Sequence, residues 1–222
     1  MQATILAAVG MLKEARLVQG PGVRAVAGGG RADLLEQRLK AALADVEGII
    51  SIGVGGALDP ALNVGDIVVG SEVLHPRGRW ETDPAWTRRI LNRLPGSRLG
   101  AVYGSNDMVL HTLHKAKLRA KGGAAVADME SHVAARIAAA GKLPFAVVRV
   151  VSDTAGLSLP DAVLAGLKPD GGMDLLGVLG ALARDPGQLQ ALMRVGRDAD
   201  QAFKALKIAR VALGPDLAFS AL

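Results

Sequence analysis

The feature that most restricts what this chain can fold into is its alternation of two kinds of segment. Short apolar runs rich in β-branched residues recur at positions 3–9, 23–27, 48–53, 67–69, 99–103, 124–127 and 144–151. Stretches with helical spacing of apolar residues fall between them, at 33–43, 109–120 and 131–140. Apolar runs without strict alternation suit strands covered on both faces, and amphipathic helices supply the cover. The exchange predicts an α/β fold, a three-layer sandwich with a mixed central sheet. Within 33–43, Leu34, Leu35, Leu39 and Leu43 mark the inward face, and Glu36 with Lys40 forms an i,i+4 pair. Glycine-rich turns punctuate the pattern at Gly28-Gly29-Gly30 and in a permissive loop over 54–60. Pro160, Pro169 and neighbouring glycines predict a long connection over 157–172, with helices following over 174–183 and 189–212. Those helices are expected to close the core, with an oligomer or membrane-proximal face as the alternative. Residues 1–222 are read as one catalytic domain that includes this C-terminal helical region.

Composition narrows the functional classes. With 50% hydrophobic and 21% charged residues the chain can bury a core, but only 3% is aromatic, so packing falls to Ala, Val, Leu and Ile. Few aromatics also make a poor base-stacking surface. The net charge of +5 can attract an anionic nucleotide, phosphate or lipid surface, yet the Lys and Arg are scattered and no nucleic-acid motif accompanies them, so no nucleic-acid partner is expected. The absence of cysteine excludes disulfides, thiol catalysis and cysteine metal sites. His75, His111, His114 and His132 make no zinc pattern and are read as surface or supporting residues, and no G-x-S-x-G elbow is present. We therefore expect neither metal nor cofactor. The uncharged stretch 1–12 lacks a signal-peptide pattern and is too short to span a membrane, which favours a soluble cytoplasmic protein.

Several residues stand where chemistry is commonly placed. Glu130 ends an apolar run just before a helical stretch; it either favours the helix terminus electrostatically or accepts hydrogen bonds from vicinal sugar hydroxyls. Met129 packs in the core or against a sugar or base. Asp153 ends the buried run 144–151, at the carboxyl end of a strand where open α/β sheets bind ligands. It is either a local cap or a proton donor to a nitrogen-rich leaving group, with Ser152 orienting it. Arg149 reads as a structural ion-pair partner. Glu14, after the first strand, is either a solvated helix residue or a group that activates a small nucleophile. Gly29 and Gly30 can offer backbone N–H groups to phosphate, and Arg31 beside them is the leading phosphate candidate; Arg77 and Arg79 are weaker ones.

Taken in order, these motifs resemble the purine/uridine phosphorylase and methylthioadenosine/adenosylhomocysteine nucleosidase superfamily, and within it the hopanoid-associated phosphorylase branch. The resemblance runs from Ile5 to about Gly172. It joins residues 5–14, Ser51-Ile52-Gly53-Val54-Gly55-Gly56-Ala57-Leu58-Asp59-Pro60, Val64-Gly65-Asp66-Ile67-Val68-Val69, Ala127-Asp128-Met129-Glu130-Ser131-His132 and 144–153. It implies a nucleoside phosphorylase-like fold, Glu130 on the ribose hydroxyls and Asp153 on the departing purine. It also implies a pocket with Val54, Gly55 and Gly56, Met108 and Val109 beside the base, Met129 beside the sugar, and Glu14 positioning water in the nucleosidase relatives. Gly55-Gly56-Ala57 departs from the commoner Ala-Gly-Gly order. The branch implies phosphorolysis of adenosylhopane, with inorganic phosphate as co-substrate, in hopanoid biosynthesis. The alternatives are water-dependent cleavage of adenosylhopane, methylthioadenosine or adenosylhomocysteine, and a non-catalytic nucleotide-binding oligomer. A homo-oligomer is implied, and a hopanoid-linked substrate would bring the protein to the inner face of the membrane as a peripheral contact.

Overall fold

The structure, a computed structural model, describes residues 4–160, 163, 180 and 184–220. All but residue 180 of the expected helix over 174–183, and most of the expected connection over 157–172, lie outside the described residues. The elements are β1 (Ile5–Val9), α1 (Leu12–Val18), β2 (Val23–Ala27), α2 (Ala32–Ala41), β3 (Gly48–Ala57), β4 (Ile67–His75), β5 (Gly78–Glu81), α3 (Pro84–Arg93), β6 (Arg98–Gly104), α4 (Thr112–Gly122), β7 (Val126–Asp128), α5 (Ser131–Gly141), β8 (Phe145–Asp153) and α6 (Leu189–Leu213).

The strands form one mixed eight-stranded sheet, as the alternation predicts. Parallel pairs β2/β1, β1/β3 and β3/β8 make one wing, and β8 then pairs antiparallel with β4. β4 pairs parallel with β6, β6 parallel with β7, and β7 antiparallel with the end of β3. These pairings close β3, β8, β4, β6 and β7 into a ring, with β8 held along both edges.

Both faces of the sheet are buried, and β1 shows how. Ile5, Ala7 and Val9 point into a cluster with Val18, Trp86, Ile90, Phe203 and Leu206, from α1, α3 and α6. Leu6 and Ala8 point the other way, into a cluster with Leu35 and Leu39 of α2 and Val133, Ala134 and Ile137 of α5. The period of two that strands impose thus divides one run of five apolar residues between two cores. α6 buries Ala202, Phe203, Leu206, Ala209 and Leu213, a helical-period stripe, so the core-closing expectation for this helix holds. Its far end is tied down: Trp86 Nε1 donates to the Leu217 carbonyl at 2.9 Å, Arg89 Nε donates to the Ala218 carbonyl at 2.9 Å, and the Phe219 ring meets Trp86 edge-on at 4.9 Å.

Three details depart from the sequence reading. The loop expected over 54–60 is strand as far as Ala57, paired with β7 and β8, and its glycines fit because groups from distant segments, Ala127 and Arg149 at Gly55 and Asp153 at Gly56, leave no room for a side chain. The extension of β4 into a hairpin with β5, and helix α3, were not read from the sequence. A start signal for α3 is nonetheless present, with Pro84 in the first turn and Asp83 accepting from the Trp86 backbone N–H at 2.7 Å.

Candidate active site

Three acids stand at strand ends along this part of the sheet, Glu14 and Glu130 together near Gly10 and Asp153 at Gly56, and each is placed by a different device. Glu14, one turn into α1, is buried rather than solvated. Its Oε2 accepts from the backbone N–H groups of Gly10 at 2.8 Å and Met11 at 2.7 Å, and its Oε1 from Val54 at 2.7 Å. The side chain therefore ties the β1–α1 turn to the middle of β3. It also explains Gly53: a Cβ there would overlap the Glu14 carboxylate, so this strand position needs glycine.

Glu130 stands between β7 and α5, and the helix-terminus reading of this residue belongs to a neighbour. Asp128 Oδ1 accepts from the Glu130 N–H at 3.1 Å, the Ser131 N–H at 2.9 Å and the Ser131 hydroxyl at 2.7 Å. With Asp128 satisfying the start of α5, Glu130 is left to face Glu14. A Cβ built on Gly10 would stand 2.8 Å from Glu130 Oε1 and 3.2 Å from Glu14 Oε2, so the two carboxyl groups flank one position.

Arg149 is the structural ion-pair member the sequence suggested, in a more central place than expected. It is fully buried on β8; its Nε donates to Asp128 Oδ2 at 2.5 Å, one terminal nitrogen donates to Ser51 Oγ at 2.6 Å, and Glu130 Oε2 lies 3.8 Å away. Burial opposes its charge, but Asp128, Glu130 and Glu14 outweigh that and hold the guanidinium above its ordinary value. Burial, with the Asp128 carboxylate adding to it, pushes Glu130 up to about 8. Burial also pushes Glu14 up, against the backbone donors that favour its charged form.

Asp153 closes β8 opposite Gly56, where a Cβ would come within 3.0 Å of its Oδ2. The cap reading gives way to side-chain partners: Oδ1 accepts from Ser152 Oγ at 2.8 Å, as the orienting role requires, and Oδ2 accepts from Lys115 Nζ at 2.5 Å. Lys115 was missed by the sequence reading. It lies on α4, 38 positions away, between exposed His114 and Lys117, and nothing local marks it as buried.

The remaining expected residues divide. Val54 offers its N–H to Glu14 and packs its side chain on the first core cluster, and Met129 adjoins Glu130. Gly55 lies beside Ala127 and Arg149. Met108 is half-buried, while Val109 is buried in a cluster with Leu58, Leu118, Ala124 and Ala127. The glycine turn is committed to the fold: Gly28 N–H donates to the Val9 carbonyl and Gly29 N–H to the Gly10 carbonyl at 2.8 Å. Arg31 is half-exposed and pairs with Asp33 at 2.5 Å. Arg79 pairs with Glu72 on the β4–β5 hairpin. His132 is buried rather than on the surface, stacked on His75 at 4.6 Å.

Residues 4–165 match the family model described as Phosphorylase superfamily. A 5'-methylthioadenosine/S-adenosylhomocysteine nucleosidase of Tolumonas auensis is 28% identical over 135 residues, which is 50% of this chain and 59% of the relative's length. Among solved structures, the 5'-methylthioadenosine/S-adenosylhomocysteine nucleosidase from Neisseria meningitidis, in complex with methylthio-immucillin-A, superposes with a TM-score of 0.67 at 16% identity, over 95% of this chain and 98% of that one. The futalosine hydrolase of Helicobacter pylori does so with a TM-score of 0.62 at 12% identity, over 94% and 98%. These structural likenesses show a shared fold.

Proposed function

Since the chain belongs to the Phosphorylase superfamily, we propose that it cleaves the N-glycosidic bond of a purine nucleoside and that the attacking group is water. The observation that carries this reading is the convergence of Glu14 and Glu130 on one position at Gly10, after β1, with Asp153 at the end of β8 on the far side of β3. Breaking the bond puts positive charge on the sugar and electron density on the base, so groups are needed on both sides of it. A carboxyl group that titrates near 8 is protonated at neutral pH and can both donate to and accept from ribose hydroxyls, which suits Glu130. A carboxylate has about four acceptor positions. Backbone N–H groups fill three of them on Glu14, which leaves Oε1 able to accept a water proton. Its raised pKa makes it a better base for that proton. Asp153, oriented by Ser152, serves the leaving base.

Water is favoured over phosphate because the local cation is already engaged. Among the described residues, the guanidinium beside Glu130 is that of Arg149, and it is taken by Asp128 and Ser51. Arg31 is turned to Asp33. Phosphorolysis keeps one observation on its side: a Cβ built on Gly30 would stand 3.7 Å from Met129 Cε, which brings the glycine turn beside the residue preceding Glu130. The resemblance to the hopanoid-associated branch proposes adenosylhopane as the nucleoside, with methylthioadenosine and adenosylhomocysteine as smaller alternatives. Incubating the protein with each of the three, with and without phosphate, and identifying products by mass spectrometry separates these readings. The expected products are adenine and a free sugar, unchanged by phosphate. A sugar 1-phosphate formed only with phosphate would transfer the reading to phosphorolysis, and no adenine from any substrate would reject both.

A further inference from the structure

We infer that Lys115 is a positioning residue for Asp153, holding its carboxyl group against the leaving base and supplying the proton that Asp153 passes on; this rests on the nucleoside-cleaving reading above. The side chains of α4 that turn fully inward are Lys115 and Leu118. A buried ammonium is costly unless every donor is matched, and at a core-facing helix position an apolar residue would ordinarily pack. Here all three donors are matched. Lys115 Nζ reaches Asp153 Oδ2 at 2.5 Å, the Thr154 carbonyl at 2.8 Å and the Leu157 carbonyl at 2.9 Å. The two carbonyls fix the ammonium independently of Asp153, so the lysine sets where the carboxylate can sit. Gly56 clears the space on the other side of that carboxylate. The segment Lys115 grips is itself docked on the start of α4, through Leu159 N–H on the Leu110 carbonyl at 2.9 Å.

The proton path follows from this geometry. As the bond between the anomeric carbon and the purine breaks, its electron pair passes to the base. An imidazole nitrogen of the base takes a proton through the Asp153 carboxylate, which receives it from the Lys115 ammonium as it passes it on. Water adds to the anomeric carbon and gives its proton to Glu14. Exchange with solvent returns that proton to Lys115, so the sum is nucleoside plus water giving purine plus sugar.

The test compares two leaving groups. Lys115→Met, Asp153→Asn and the double variant are assayed on the purine nucleoside that the wild-type protein cleaves and on 4-nitrophenyl riboside, whose phenolate leaves without a proton. Removing a proton donor of this kind costs about 10²–10⁴-fold. We expect Lys115→Met to lose about 100-fold or more in kcat/KM on the purine nucleoside and less than about threefold on the aryl riboside. The double variant should be no slower than Asp153→Asn alone, because the two residues act in series. Equal losses on both substrates would make Lys115 a structural tie only, and multiplying losses in the double variant would overturn the series. Lys115→Gln, which keeps donors for the two carbonyls, is expected to show the same split and replaces Lys115→Met should that variant not fold. Wild-type protein inert on every nucleoside would instead reject the function itself.

Discussion

Glu130 and Asp153 are almost equally buried, at 8% and 6% exposure, yet they keep different company. Among the described residues the cation beside Glu130, Arg149, is 3.8 Å away and already bonded to Asp128, whereas Asp153 has an ammonium of its own at 2.5 Å. Burial alone therefore does not decide what a carboxyl group does in this protein. Who holds the counter-ion decides it. On the sugar side, two acids crowd together with no cation of their own among the described residues and burial raises the pKa of both; on the base side, a dedicated lysine stands behind the acid.

Four measurements would break or sharpen that contrast. The largest expected effect is on the base side: Asp153→Asn should lower kcat/KM for adenine release by about 10²–10⁴-fold, while the thermal midpoint moves little by comparison. Near-wild-type turnover would remove Asp153 from the chemistry. Next, Arg149→Met strips the buried cation shared by the sugar side and leaves Asp128 without its partner. A loss of about 3–5 kcal/mol in urea unfolding is expected, and a change under 1 kcal/mol would mean that Asp128 is adequately served by the start of α5 alone.

The third is a pH dependence. Glu130 rises from 4.5 to about 8 in the folded protein, so between those values the folded state holds a proton that the unfolded state has released. Stability from this group is complete below about 4.5 and is lost as pH rises toward 8. His132 works the other way: burial lowers it from 6.5 to about 4, so its contribution is present above 6.5 and lost as pH falls toward 4. The two offset each other at acidic pH, and Glu130 shows between about 6.5 and 8. Unfolding free energy should fall there by up to about 1.4 kcal/mol per pH unit, and Glu130→Gln should flatten the slope. A wild-type profile level across that window would place Glu130's titration elsewhere. The smallest effect belongs to Arg31→Ala, which removes an exposed, solvent-screened pair with Asp33; the thermal midpoint should stay close to wild type and kcat/KM should change by less than about twofold. A much larger loss that scales with added phosphate would restore Arg31 as a phosphate ligand.

The fold was legible wherever period and burial agreed. β1, β2, β8, α2 and α5 carry apolar spacing that a single sequence displays, and their ends place Glu130 and Asp153 at strand and helix junctions. What stayed hidden depended on contacts between distant segments. Gly55 and Gly56 read as a loop because glycine disfavours strands; in β3 they sit where Ala127 and Arg149, and Asp153, occupy the space a side chain would fill. Lys115 reads as one of several surface cations on α4, and only the arrival of β8 brings Asp153 against it. Asp128 was overlooked because a helix-capping acid two residues before Glu130 has no local signature of its second bond, to Arg149.

The tie between α3 and residues 217–219 has an optical consequence. The chain has two tryptophans, Trp80 and Trp86, and Trp86 is fully buried with its indole N–H on the Leu217 carbonyl and its ring edge-on to Phe219. In a Trp80→Phe background, emission from the remaining indole would shift to the red when that carbonyl and ring withdraw and water replaces them. The protein thus carries its own fluorescent gauge of whether the last turn is seated over the sheet, readable in a cuvette without any label.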